Sequence, residues 1–169
     1  MMTGMKPLFR AVLVSLAIAQ WAAWCSGATA GNLTAIWVDQ QGKTLAEIQL
    51  QLEDLDSASQ YEIYTSTPWN KEPRRFTGPS LREISELTGH SPSRATLKAL
   101  NDYTVNVPRE DWLTYEVILS TRIDGKQPRV YEKGPYWLIY NVDKMMKPLP
   151  QRFTARMIWQ VDRLMFHVD

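Results

Sequence analysis

Apolar residues recur at every second position along most of this sequence and at helical spacing in only a few places. Leu33-Thr34-Ala35-Ile36-Trp37-Val38 is β-prone and runs into Asp39-Gln40-Gln41-Gly42, which predicts a strand with a turn behind it. From Thr44 onward Leu45, Ile48, Leu50, Leu52 and Leu55 mix the two periods. Leu50 with Leu52 predicts a strand that passes into a one-turn helix over Glu53-Asp54-Leu55-Asp56. Tyr61-Glu62-Ile63-Tyr64-Thr65 alternates and is aromatic and β-branched, so it predicts a strand, and Ser66-Thr67-Pro68-Trp69-Asn70 predicts a loop leaving the sheet. Ser80 with Glu83 three residues on has the form of a capping box, Leu81, Ile84 and Leu87 fall at helical spacing, and Gly89 supplies the stop, so a short helix is predicted over Leu81 to Thr88.

In the stretch from Leu97 to Pro108, Leu97, Ala99, Val105 and Val107 alternate with polar neighbours as in a half-buried strand, and Asn101-Asp102-Tyr103 interrupts the alternation. By residue type the interruption reads as a turn or bulge, because Asn and Asp bond their own backbone and tolerate unusual dihedrals. Pro108 ends the ladder and precedes a brief helical turn over Arg109 to Leu113. Val117 to Ile123 reads as a strand closed by the hairpin signal Asp124-Gly125. Tyr136 to Tyr140 is nearly continuous in aromatic and aliphatic residues, which suits a strand buried on both faces, and Asn141 to Pro150 reads as a loop carrying an exposed Met145-Met146 pair. Met157 to Val168 predicts a terminal strand. Many strands, few short helices, no βαβ rhythm and no internal repeat together predict a single α+β domain with a largely non-local sheet.

The N-terminal thirty residues change the picture of where this domain works. Lys6 and Arg10 precede an apolar run from Ala11 to Ala19, no acid occurs before Asp39, and Ala28-Thr29-Ala30 has the small-x-small pattern of a signal-peptidase site. The apolar run is shorter than the roughly 20 residues a spanning helix requires. We therefore expect residues 1–30 to be a cleaved signal peptide, the mature domain to be 31–169, no membrane span after cleavage, and a periplasmic or secreted location. Cys25, the sole cysteine, lies in the removed segment, and the bulky Trp24 before it is a poor fit to lipoprotein processing. Two of the 19 Lys and Arg residues and none of the 18 acids fall in the segment, so the mature charge is near neutral, with both signs interspersed. That balance gives no electrostatic footprint for nucleic acid.

The common catalytic constellations are missing. His90 and His167 have no metal-ligand spacing and read as surface residues. No nucleophile elbow, phosphate loop or dinucleotide fingerprint occurs, and the adjacent pairs Glu53-Asp54 and Glu110-Asp111 point apart in either regular structure. What remains is aromatic: five tryptophans follow the signal segment, of which Trp37, Trp112, Trp137 and Trp159 suit a core, while Trp69 sits on a predicted loop, where a large ring suits a pocket wall.

Several loose motifs occur in a definite order: Phe76-Thr77-Gly78-Pro79-Ser80-Leu81-Arg82-Glu83-Ile84, Ala99-Leu100-Asn101-Asp102-Tyr103 with Val107-Pro108, Arg122-Ile123-Asp124-Gly125-Lys126, Lys133-Gly134-Pro135-Tyr136-Trp137-Leu138-Ile139-Tyr140, and Ile158-Trp159-Gln160-Val161. In this order they resemble the sulfite oxidase-type molybdopterin-binding domain, more narrowly its short exported members, over roughly residues 45 to 166. The resemblance implies a mixed α+β fold and a pocket for the pterin cofactor lined by Trp69, Asn101, Asp102, Tyr103, Lys133 and Gly134. It also implies a molybdenum-ligating cysteine at about Thr65 to Thr67, where this sequence has only hydroxyl groups, which are hard, high-pKa groups that do not replace a soft thiolate. We therefore expect an exported ligand- or partner-binding module without molybdenum redox chemistry, which uses the pocket or a loop such as Lys144 to Pro150 to engage a small molecule or an envelope protein. The alternative is an active molybdopterin-dependent oxidoreductase of the periplasm.

Overall fold

The structure, a computed structural model, describes residues 31–145 and 147–169. The predicted signal segment, Cys25 and Met146 lie outside them. Among these residues the strands are β1 (Leu33–Val38), β2 (Thr44–Leu50), β3 (Tyr61–Thr67), β4 (Asn70–Gly78), β5 (Pro92–Ala99), β6 (Thr104–Pro108), β7 (Val117–Ser120), β8 (Arg122–Ile123), β9 (Trp137–Tyr140), β10 (Ile158–Trp159) and β11 (Val161–Val168). Four short helices separate them: α1 (Leu52–Ser57), α2 (Leu81–Glu86), α3 (Arg109–Thr114) and α4 (Gln151–Arg156). Single 3-10 turns cover Val130–Glu132 and Val142–Lys144. The domain is sheet-rich α+β.

Five strands form the largest sheet in the order β2-β1-β11-β5-β6. β1 runs parallel to β11, and the other neighbours are antiparallel. Period-two alternation sets its inner face: Leu33, Ala35, Trp37, Ala95, Leu97, Ala99, Val105, Val107, Leu164 and Phe166 are all buried. Trp37 stacks on Phe166 with centroids 5.0 Å apart, and its indole N–H donates to the Ser85 carbonyl at 3.1 Å, which ties α2 to this sheet.

Two three-stranded sheets, β3-β4-β8 and β10-β9-β7, make up the rest. They are continuous through Thr77 to Ser80: the Leu119 amide donates to the Pro79 carbonyl and the Thr121 amide to the Thr77 carbonyl, each at 2.9 Å. Gly78 permits this approach, since a Cβ there would lie 2.1 Å from the Leu119 carbonyl oxygen. β7 and β9 are buried throughout because they are shared between two apolar clusters. Val117, Leu119, Leu138 and Tyr140 face the main core, whereas Ile118, Trp137 and Ile139 face a second one with Ile63, Phe76 and Ile123.

α2 starts and stops as its residues predict. The Ser80 hydroxyl accepts from the Glu83 amide at 3.1 Å, and Gly89 takes φ +74 beyond the end. Burial of Leu81 and Ile84 contributes about 2 kcal/mol each, more than a two-turn helix could gain from its own hydrogen bonds.

Several expectations are corrected or completed. Ser66 to Asn70 does not leave the sheet: Thr67 pairs with Asn70, so Pro68-Trp69 is a tight hairpin turn, and the charged run that follows is strand β4. The outer half of β4 has only β3 beside it, so both faces meet water and the apolar alternation vanishes. The expected interruption at Asn101-Asp102-Tyr103 is a turn: Leu97 to Pro108 is the second half of β5 and all of β6, a hairpin whose first strand begins at Pro92. Leu52 opens α1 instead of extending β2, and Gln151–Arg156, which the sequence pattern assigned to no element, forms α4 with Phe153 as its buried anchor. Met145 is half-buried against the main core. His167 is not a bare surface residue either: Arg94 Nη2 lies 3.0 Å from its Nδ1 and Thr96 Oγ1 lies 2.9 Å from its Nε2, and burial with the Arg94 charge holds its pKa below the usual histidine value.

Candidate binding cleft

Three separate pieces of chain meet at one cleft, and each is fixed locally. The first is the β3–β4 turn. The Thr67 hydroxyl accepts from the Trp69 amide at 3.3 Å and the Asn70 amide at 3.0 Å, which closes the turn and projects the Trp69 ring. The second is the β5–β6 tip. Here the Ala99 amide donates to the Tyr103 carbonyl at 2.9 Å, and Asn101 Oδ1 accepts from the Tyr103 amide at 3.2 Å, an Asx turn that holds Asp102 at φ +67. The third is the β9–β10 pair, whose register places Trp137 directly opposite Trp159 and so on the same face. The Leu100 amide donates to the Gln160 carbonyl at 3.0 Å and anchors the tip beside β10.

Trp69 meets Trp137 edge to face, with centroids 5.5 Å apart and planes at 87°. Trp69 is one wall of an apolar hollow of about 340 Å³ lined also by Asn101, Tyr103, Met157, Ile158 and Trp159 together with Ala99, Thr154 and Ala155. Trp69 and Tyr103 remain 36% and 55% exposed, so both rings offer free faces at its mouth. Trp137 is one wall of a polar hollow of about 500 Å³ lined also by Asn70, Arg74, Asp124, Lys126, Glu132 and Lys133 among others. Arg74 and Asp124 neutralise each other there at 2.7 Å. The Arg75 amide and the Arg74 guanidinium hold the Asp124 carboxyl below the usual carboxylate range.

Lys133 links the two hollows. It closes the 3-10 turn at φ +68, and its Nζ sits 5.7 Å from the centroid of the Trp159 ring. The Gln160 amide donates to the Lys133 carbonyl at 3.2 Å and fixes this segment against the β10–β11 corner.

The sequence matches no protein-family model and no curated protein. What the cleft can do follows from its own side chains.

Of the six residues expected to line one pocket, Trp69, Asn101 and Tyr103 come together in the apolar hollow, and Lys133 stands on its boundary in the polar one. Asp102 does not line either hollow. Its carboxylate meets Lys98 Nζ at 2.6 Å in solvent, and that hydrogen bond and charge lower its pKa. Gly134 is a packing position: it is buried, and a Cβ would lie 1.9 Å from the Pro128 carbonyl oxygen. Trp137, Trp159, Arg74 and Lys126 complete the cleft and were not singled out as binding residues. The pairing of Trp137 with Trp159 depends on strand register, which no local spacing encodes.

The hydroxyls at Thr65 to Thr67, where the resemblance implies a metal-binding thiolate, do not fit molybdenum. Thr67 is consumed by the turn. The Ser66 amide and hydroxyl donate to the two Asp143 carboxylate oxygens at 2.6 and 3.0 Å, and the Thr65 hydroxyl accepts from the Asp143 amide at 3.3 Å. These groups are hard oxygen donors already engaged inside the protein. Among the described residues no cluster of three or more His, Cys, Asp or Glu side chains is placed to hold a metal ion. No helix of the described residues is long and apolar enough to cross a membrane.

Proposed function

We propose that this protein is an exported binding module of the sulfite oxidase-type molybdopterin-binding fold, which holds an organic small molecule in the cleft around Trp69 and carries out no molybdenum redox chemistry. The observation that carries this reading is the composition of the apolar hollow. Three aromatic rings, Trp69, Tyr103 and Trp159, converge there with Met157 and Ile158, and no carboxylate, imidazole or amine lines it. Such a wall binds by burying apolar area and by stacking, and beyond the Tyr103 phenol it has only the Thr154 hydroxyl, which donates to the Gln151 carbonyl at 2.9 Å. The engaged hydroxyls at Thr65, Ser66 and Thr67 support the second half of the reading. The basic, apolar and small-residue order of the first thirty residues supports export.

The test is to isolate the mature protein from cells that export it. Native mass spectrometry then measures any retained organic mass, alongside elemental analysis and the fluorescence of oxidised pterin. The expected result is a bound organic mass without molybdenum, lost in Trp159→Ala. Stoichiometric molybdenum together with a fluorescent pterin would overturn the proposal in favour of a periplasmic oxidoreductase.

A further inference from the structure

Two groups on the polar side of the cleft lack the partner their chemistry calls for. Lys133 is half-buried, and no Asp or Glu oxygen lies within 4.0 Å of its Nζ among the described residues, so its charge rests on the Trp159 ring alone. Trp137 lines the same hollow and is 3% exposed, and its indole N–H is buried without an acceptor among the described residues. A buried donor in this state costs free energy until an acceptor arrives, and a half-buried ammonium next to an aromatic wall is stabilised by an anion that shares its dry surroundings. The other charges of the hollow do not meet either need. Asp124 is held by Arg74 and the Arg75 amide, and the Glu132 carboxylate accepts from the Arg129 amide at 3.0 Å. Counting Arg74, Lys126 and Lys133 against Asp124 and Glu132, the hollow has one positive charge in excess.

Lys133 also forms the bridge to the apolar hollow, because the ring it covers, Trp159, is a wall of that hollow. Resting on the reading of the cleft as a binding site, we infer that it selects a monoanionic ligand, an apolar body seated between Trp69, Tyr103 and Trp159 with a carboxylate on Lys133. A carboxylate supplies an acceptor for the ammonium. Its single charge matches the excess of the hollow, whereas a phosphate dianion would exceed it.

The experiment compares 3-phenylpropionate with its neutral amide, 3-phenylpropionamide, by calorimetry and by the indole N–H resonances of the full mature protein. The acid is expected to bind about tenfold more tightly than the amide, equivalent to about 1.4 kcal/mol. In Lys133→Gln that preference is expected to fall within about twofold, through weaker binding of the acid. N-acetyl-Ala-Phe with a free C-terminus distinguishes the two sources of this chemistry: tighter binding than 3-phenylpropionate assigns a peptide terminus, and weaker binding assigns a free small carboxylate. Equal binding of acid and amide by the wild type would overturn the inference while leaving the cleft a binding site. Tighter binding of phenyl phosphate than of the carboxylate would overturn the monoanion assignment. If neither acid nor amide binds and the Trp69 and Trp159 resonances stay fixed, both the inference and the reading beneath it fail.

Discussion

Thr67→Val tests how the cleft is built. Valine has the shape of threonine but no oxygen, so the substitution deletes the acceptor of the Trp69 and Asn70 amides and changes little else at a site only 7% exposed. A net protein hydrogen bond is worth about 1 kcal/mol. The bond at 3.0 Å should count in full and the longer one at 3.3 Å less, and the added methyl group recovers part of the loss. The expected cost is therefore about 1–2 kcal/mol, seen in urea as a lowered midpoint with an unchanged slope, and about 4–8 °C in thermal midpoint. Thr67→Ser, which keeps the acceptor and removes a methyl group, should lose a similar amount of stability through packing, so stability alone does not separate the two variants. The Trp69 indole resonance does. It should move in Thr67→Val, because the turn that aims the ring is loosened, and hold its position in Thr67→Ser. A Thr67→Val protein within about 0.3 kcal/mol of wild type with its Trp69 resonance unmoved would refute the claim that this hydroxyl positions the wall of the cleft.

Further outcomes follow from two carboxylates held by hydrogen bonds, Asp111 and Asp143. Asp111 is 5% exposed and accepts from Tyr140 Oη at 2.8 Å and from Arg156 Nη1 at 2.6 Å, so Arg156→Leu should leave a buried carboxylate with only a phenol and cost about 3 kcal/mol in chemical denaturation, while Tyr140→Phe should cost closer to 1–2 kcal/mol. Burial works against the Asp143 carboxylate, but the Ser66 amide and hydroxyl and the Thr65 hydroxyl hold its pKa below the ordinary value near 3.8. Its contribution to stability is therefore complete above that value and lost as the pH falls through the lower folded one. Asp143→Asn should reduce stability at neutral pH and flatten the acid limb of a stability profile below about pH 4.

How much of this was legible in the sequence differs from element to element for physical reasons. α2 was readable because its start and stop are local: Ser80, Glu83 and Gly89 act within a few residues of one another. β9 was readable because a strand shared by two clusters must be apolar at every position. β4 was hidden because its exposed ribbon half carries charge on both faces, and α4 because six residues with one buried anchor leave no periodicity to see. In the cleft, loop position pointed to Trp69, whereas Asn101 and Tyr103 were expected there only from the family resemblance and read by residue type as a turn. Spacing could not say that Asp102, between two of them, takes φ +67 and turns out to Lys98. Nor could it reveal that Trp137 and Trp159, which read as core, stand side by side through register.

The parallel pairing of β1 with β11 makes the fold contingent on its own completion. β11 lies between β1 and β5, so until Val161–Val168 is available the main sheet exists only as two separate hairpins, β1–β2 and β5–β6, each with its apolar face uncovered. A chain emerging from the ribosome cannot complete this sheet piecemeal. Assembly waits for contacts between the opposite ends of the domain, which places its rate among slow, topology-limited folders and leaves a long interval in which the polypeptide is still threadable and open to chaperones.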